Sequence, residues 1–188
     1  MSYLSTNDIK PGMKVEFNNE PYFVVNNEFV KPGKGQAFNR IKLKNIITAR
    51  VVEKTYKSGE KLQIADVVES KMRLLYQEAD GAVLMDEETY EQITVPFDVV
   101  KETKDWLKDD TLYDVILYKS NIVEIIPPTF MELKITQTDP GARGDTASGR
   151  VLKPATLETG AILQVPIFIN EEEMIKVDTR TKEYVSRV

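Results

Sequence analysis

The chain of 188 residues carries 25 basic and 30 acidic side chains, a net charge of −5, and neither cysteine nor histidine. Disulfides, thiol nucleophiles, imidazole bases, Ser-His and Cys-His triads and Cys/His zinc sites are therefore excluded. No run of roughly eighteen apolar residues occurs, and Met1 to Asn7 lack the charged and apolar regions of a signal peptide, so a soluble, cytoplasmic protein with no membrane partner is expected.

Residues 1–64 hold 11 basic and 6 acidic groups, net +5. Met13, Val15 and Phe17 alternate with Lys14 and Glu16, Asn18-Asn19 make a turn, and Tyr22-Phe23-Val24-Val25 returns as a strand. A second hairpin loop spans Val30 to Phe38. Pro32 fixes its own φ, Gly33 and Gly35 permit geometries closed to other residues, and Lys34 sits between the glycines. On the return strand Ile41 and Leu43 fall on one face, with Arg40, Lys42 and Lys44 on the other. From Phe29 to Val52 there are six basic residues and no acidic one. Further strands at Ile46 to Thr55 and Lys61 to Ile64 complete a small SH3-like barrel.

A lysine in a turn is ordinarily just solvated, and strand lysines ordinarily guard against edge pairing. A rigid loop, a single lysine at its tip and an acid-free basic strand together suit a polyanion. Lysine and arginine neutralise phosphates without reading sequence.

A charge reversal near residue 65 marks the first boundary: residues 65–128 hold 6 basic and 15 acidic groups, net −9. Strands are expected at Val67 to Tyr76 and Ala82 to Asp86 around an Asp80-Gly81 turn. Val99, Val100, Thr103, Trp106 and Leu107 recur at helical spacing and predict one amphipathic helix over Asp98 to Lys108. Leu112 to Tyr118 and Ile122 to Ile126 then pair across Lys119-Ser120-Asn121. Trp106 is expected to plug the core beneath this middle barrel rather than to stack on bases. The acidic runs Asp86-Glu87-Glu88, Asp109-Asp110 and Glu171-Glu172-Glu173 read as solvated turns.

Pro127-Pro128 forms a stiff extended joint into residues 129–188, which hold 8 basic and 9 acidic groups, net −1. Met131, Leu133 and Ile135 alternate with polar residues as a strand. Asp139-Pro140-Gly141 turns the chain into a polar loop over Ala142 to Leu152. Ala161 to Ile169, Met174 to Val177 and Glu183 to Arg187 read as strands.

The loop Lys31-Pro32-Gly33-Lys34-Gly35-Gln36-Ala37-Phe38 resembles the tip loop of the bacterial elongation factor P family. The likeness runs the length of the chain. It includes Asn7-Asp8-Ile9-Lys10-Pro11-Gly12, Val52-Glu53-Lys54-Thr55, Thr138-Asp139-Pro140-Gly141 and Gly144-Asp145-Thr146-Ala147. Lys153-Pro154-Ala155-Thr156-Leu157, Ile175 to Arg180 and Glu183 to Val188 continue it. One departure is the segment Ser148 to Leu152, about one residue longer than the usual version.

The resemblance implies an all-β fold of three consecutive small β-barrels in an L-shaped, tRNA-like arrangement. These are a KOW-type SH3-like barrel over residues 1–64 and OB-like barrels over 65–127 and 128–188. It implies a translation elongation factor that binds the 70S ribosome beside the P-site peptidyl-tRNA and stimulates peptide-bond formation at consecutive prolines. Lys34 would approach the CCA end and would be the target of lysine-modifying enzymes, often adding a β-lysyl group. Contacts to the acceptor stem and rRNA would come from Lys31, Pro32, Gly33, Gly35, Gln36, Arg40, Lys42 and Lys44. Gly144, Asp145 and Thr146, and Tyr184 with Arg187, match positions facing exit-site mRNA and the small subunit. For these the alternative is that Gly144 serves a turn and Tyr184 the core.

A monomer is expected, with no cofactor, metal or catalytic residue. Lys34 as a nucleophile would need a pKa lowered by burial, and Pro-Gly-Lys-Gly lacks the spacing of a P-loop. A general single-stranded RNA-binding OB protein is the rival reading. It requires basic grooves interleaved with aromatics in residues 65–188, where the middle segment is strongly acidic. A peptide-binding adaptor would need an aromatic groove, which Tyr22, Phe23 and Phe38 could supply. The third domain separates the bacterial form from the two-domain hypusine-bearing factor of archaea and eukaryotes.

Overall fold

The computed structural model of the chain describes residues 2–140 and 151–188. Its first sheet contains β1 (Tyr3–Ser5), β2 (Lys14–Phe17), β3 (Glu20–Val30), β4 (Phe38–Asn45), β5 (Val51–Lys57) and β6 (Lys61–Ile64), in the order β1-β6-β2-β3-β4-β5. Strict alternation drives it. On β4, Asn39, Ile41, Leu43 and Asn45 are buried while Arg40, Lys42 and Lys44 are exposed. Val15, Tyr22, Val24, Ile41, Leu43 and Leu62 pack with Ile9 as its core. Asn18 and Asn19, at φ 52° and 62°, make the tight turn between β2 and β3.

The strand expected from Ile46 starts only at Val51. Asn45 is the reason: its Oδ1 accepts from the Ile47 and Thr48 amides at 2.9 and 2.8 Å, and Ala49 takes φ 57°. A side-chain cap of this kind substitutes for the strand ladder.

The second sheet contains β7 (Val67–Gln77), β8 (Gly81–Asp86), β9 (Gln92–Pro96), β10 (Leu112–Tyr118) and β11 (Asn121–Ile126), ordered β11-β10-β7-β8-β9. The alternation reading had not found β1 or β9, which are short and little buried; β9 buries Val95 alone. The expected helix over Asp98 to Lys108 is absent. Val99, Val100, Thr103 and Trp106 each donate to the carbonyl three residues back, a chain of turns ending in a 3₁₀ helix at Lys104–Trp106. Val99 remains exposed, so the spacing never became one apolar stripe.

The third sheet contains β12 (Phe130–Thr138), β13 (Leu152–Leu157), β14 (Ile162–Pro166), β15 (Met174–Asp178) and β16 (Glu183–Arg187), ordered β14-β13-β12-β15-β16. Sequence reading had not placed β13. Pro154 faces Gln164 of β14 and lies beyond the β12 register, which ends at Thr138 opposite Ala155. Its missing N–H therefore breaks no ladder there. The strand expected through Ile169 stops at Pro166, where Ile169 N–H bonds back to the Pro166 carbonyl.

Trp106 is a core plug, but of a different core from the one expected. It is 4% exposed and packs with Met131, Leu133, Ile135, Leu157 and Val177 of the third sheet. A single tryptophan in a connecting segment carries no signal of which apolar face it will meet.

The chain forms two compact units, residues 1–70 with 115–124, and 71–114 with 125–188. Within the first unit, Tyr118 OH donates to Glu16 Oε2 at 2.9 Å and Lys119 Nζ lies 3.2 Å from the same oxygen. No helix among the described residues is long and apolar enough to cross a membrane.

Candidate nucleic-acid interface

The β3–β4 hairpin is pinned at its root and free at its tip. Asn27 Nδ2 donates to the carbonyls of Thr6 and Ile9 at 2.7 and 2.8 Å, and its Oδ1 accepts from Asn39 Nδ2 at 3.1 Å. Asn39 is 2% exposed, so this buried polar ladder fixes register where an apolar pair could slip. Beyond it the pairing continues through Phe29↔Asn39 to Val30↔Phe38, yet Phe29 is exposed. The hairpin has left the core there. A bulge between Val24 and Asn26 adds local twist to β3.

Residues 31–37 form the tip. Gly35 sits at φ 121°, a conformation L side chains rarely adopt, and a Cβ there would lie 3.6 Å from the Pro32 ring. Gly33 shows no such demand, having neither a positive φ nor a neighbour within 4 Å of a built Cβ. Of the two tip glycines, only Gly35 is required by backbone geometry. Lys34 is exposed, as are Lys31 and Gln36, and neither lysine forms an ion pair among the described residues. An exposed amine without a partner is free to meet an anion or to be extended chemically.

Lys42 and Lys44 share the exposed face of β4 and likewise have no carboxylate partner. Arg40 differs. Its guanidinium lies 3.5 Å from Glu28 on β3 and 3.5 Å from Glu53 on β5. The acid-free run in the sequence is thus flanked in space by carboxylates lying just outside it. Glu28 stands opposite Arg40 in the β3–β4 register. An arginine bridging two carboxylates is less available to a phosphate than a lone lysine. The asparagine ladder also went unread, although two asparagines at inward positions of adjoining strands were its visible signal.

The two third-sheet residues both have partners within the fold, although Arg187 stays exposed. Tyr184 is partly buried against the core, and Arg187 donates to Glu173 Oε1 at 2.8 Å. Gly144, Asp145 and Thr146 lie outside the described residues. The acidic runs, expected to be solvated, acquire basic partners in the fold. Arg73 binds Glu87 at 2.7 Å and Asp110 at 3.2 Å, and Lys134 pairs with Glu172. Among the described residues no cluster of three or more carboxylates is placed to hold a metal.

Three family models match this chain: the elongation factor P KOW-like domain over residues 5–62, its OB domain over 67–125 and its C-terminal domain over 131–187. The chain is 61% identical over 188 residues to Elongation factor P 2 of Protochlamydia amoebophila, covering 100% of this chain and 99% of that protein. Against Elongation factor P 2 of Chlamydia pneumoniae it is 55% identical with the same coverage. Among solved structures it resembles a translation initiation factor 5A from Methanococcus jannaschii, with TM-score 0.52 and 21% identity. That match covers 66% of this chain and 94% of the other, and shows a shared fold. With all three segments matched and such identity along its whole length, the chain belongs to the elongation factor P family of translation factors.

Proposed function

We propose that the chain binds the ribosome beside the P-site peptidyl-tRNA and speeds peptide-bond formation at consecutive prolines, with Lys34 reaching the CCA end. One observation carries the reading: Lys34 is exposed and unpaired at the end of a hairpin that outruns its core, and its root is locked by Asn27 and Asn39. A positioned cation of this kind can steady a tRNA terminus. Proline is a poor donor and acceptor because its ring restricts the approach of the reacting groups. Holding those groups in line lowers the entropic part of the barrier, an orientation effect of up to about 7–11 kcal/mol in favourable cases.

Lys31, Lys42 and Lys44 supply further phosphate contacts, and Arg40 a weaker one. The lysine is the target of a modifying enzyme, whose added group extends its reach and donors. Tyr184 and Arg187 act through the shape of the third sheet, near mRNA or the small subunit.

The test is translation of a Pro-Pro-Pro reporter beside a proline-free one. Lys34→Ala is expected to slow the first and spare the second; equal slowing of both would mark a general RNA binder instead. Peptide mass spectrometry of natively expressed protein is expected to find added mass on Lys34 alone.

A further inference from the structure

Arg180 and Arg187 both pair with acids of the third sheet, but in different ways. Arg180 closes on Asp178: its Nε donates to Oδ1 at 3.3 Å and its Nη2 to Oδ2 at 2.9 Å, so both carboxylate oxygens are taken. Arg187 gives one hydrogen bond, from Nη2 to Glu173 Oε1 at 2.8 Å, and its side chain stays 57% exposed. Its guanidinium makes no other hydrogen bond among the described residues. One corner of that group is held, and the remaining donors are open to an anion.

Glu173 is itself fixed. Its side chain is 19% exposed, and Oε1 also accepts from Asn170 Nδ2 at 3.1 Å. Its main-chain carbonyl accepts from the Ile135 amide at 3.0 Å, and the Glu172 amide donates to the Ile135 carbonyl at 2.9 Å. Ile135 lies fully buried in the core, so the carboxylate is anchored to the least mobile part of the third sheet. Glu173 Oε2 is buried with no hydrogen-bond partner among the described residues, which leaves Arg187 as the counter-charge of that carboxylate. The neighbouring acids serve other elements. Glu171 Oε1 accepts from the Thr138 amide at 3.1 Å, and Glu172 pairs with Lys134. Of the run Glu171-Glu172-Glu173, Glu173 is the one that reaches β16.

A chain end needs such a hold, because terminal residues fray and a free arginine loses rotamer freedom when a ligand fixes it. Here the Val188 amide donates to the Met174 carbonyl at 3.2 Å, and Arg187 stands opposite Ile175 in the β15–β16 register. The backbone pairing sets where the Arg187 side chain begins, and Glu173 sets where it ends. We infer that Glu173 is the positioning residue for Arg187, holding its guanidinium oriented before any ligand arrives. The inference rests on the ribosome-binding reading, in which Arg187 lies near mRNA or the small subunit, and adds the residue that sets its aim. The freedom of the side chain is then lost on folding rather than on binding. For one such side chain that is worth about two- to tenfold in affinity.

The test titrates the full chain into translation of the Pro-Pro-Pro reporter and reads the half-maximal concentration separately from the rate at saturation. Glu173→Gln, nearly isosteric but uncharged, is expected to raise the half-maximal concentration about two- to tenfold and to leave the saturated rate unchanged. Arg187→Ala should raise it at least as much. The double variant should be no worse than Arg187→Ala alone, because the two side chains act as one unit. Glu172→Gln, whose carboxylate serves Lys134, is expected to change neither quantity. The guanidinium NMR signals of Arg187 report the hold directly: rotation about its Cζ–Nη bonds should be slow in the native chain and fast in Glu173→Gln.

An unchanged half-maximal concentration in Glu173→Gln would overturn the inference. So would a fall in the saturated rate together with stability in urea, which would make Glu173 a plain structural support. Full rescue by the exchanged pair, Glu173→Arg with Arg187→Glu, would also overturn it, since a simple clasp works in either order and an aimed guanidinium does not. The two readings fail separately. An inert Glu173→Gln beside active Lys34→Ala and Arg187→Ala effects removes the positioning and keeps the ribosome reading. A reporter indifferent to all three variants removes that reading, and the inference with it.

Discussion

In the stretch from Phe29 to Val52, Lys31, Lys34, Lys42 and Lys44 stand without carboxylate partners among the described residues. In the third sheet nearly every described cation is engaged. Lys134 pairs with Glu172, Arg180 with Asp178 at 2.9 Å and Arg187 with Glu173 at 2.8 Å. Lys153, 7% exposed, donates to the Asp139 carbonyl at 2.5 Å, and Lys176 lies over the Phe130 ring at 4.9 Å. The difference separates two uses of a positive charge. Cations bound to their own fold add shape to the surface, whereas cations left free add potential to it and can attract a polyanion.

The largest expected effect is on the structural side. Trp106→Ala should destabilise the chain by about 3–5 kcal/mol in urea unfolding, since it empties the core of the third sheet from a segment outside that sheet. Lys153→Ala should cost about 1–3 kcal/mol by removing a buried side chain and its charged hydrogen bond to the Asp139 carbonyl. Lys42→Ala should stay within about 0.5 kcal/mol. Equal costs for the two lysines would erase the distinction between bound and free cations.

Acid sharpens the same contrast. The Arg180 side chain, with the amides of Arg180 and Thr181, holds the Asp178 carboxyl at about 2, below its ordinary 3.8. A depressed carboxyl stabilises the fold above its ordinary pKa and loses that contribution as pH falls through the folded value. Stability should therefore drop between about pH 4 and pH 2, and Asp178→Asn should flatten that part of the profile. Unfolding followed by the fluorescence of Trp106 at stepped pH reads the difference, and an unchanged profile would remove Asp178 from the account.

The smallest effects lie within the finger. Lys42→Ala should reduce the salt slope of RNA binding by about 0.7–0.9, the share of one phosphate contact. Arg40→Ala should change it less, because Glu28 and Glu53 already occupy the guanidinium. Gly35→Ala should disturb the tip and weaken the proline reporter while Gly33→Ala does not, given φ 121° at Gly35 alone.

Much of this was legible in the chain. The alternation around Ile41 and Leu43 predicted which face of β4 carries its lysines, and Asn18-Asn19 predicted a turn, which the structure makes with both residues at positive φ. The helix over Asp98 to Lys108 misled because five residues at helical spacing imply a stripe only if one surface receives them all. Here Trp106 went to the third core and Val99 to solvent. β13 went unread, and its Pro154 is tolerated because the β12 register ends at Ala155.

By itself the sequence determined the β class, the family, the finger and the position of its lysine. Local chemistry fixes these: period-two alternation, turn residues with special φ, and motifs read in order. Only the tertiary structure decided which charges are free, which core Trp106 fills, and that Asn27 and Asn39 lock the root of the hairpin. Those outcomes depend on register across strands distant in sequence, and register emerges only when the whole sheet closes around its core.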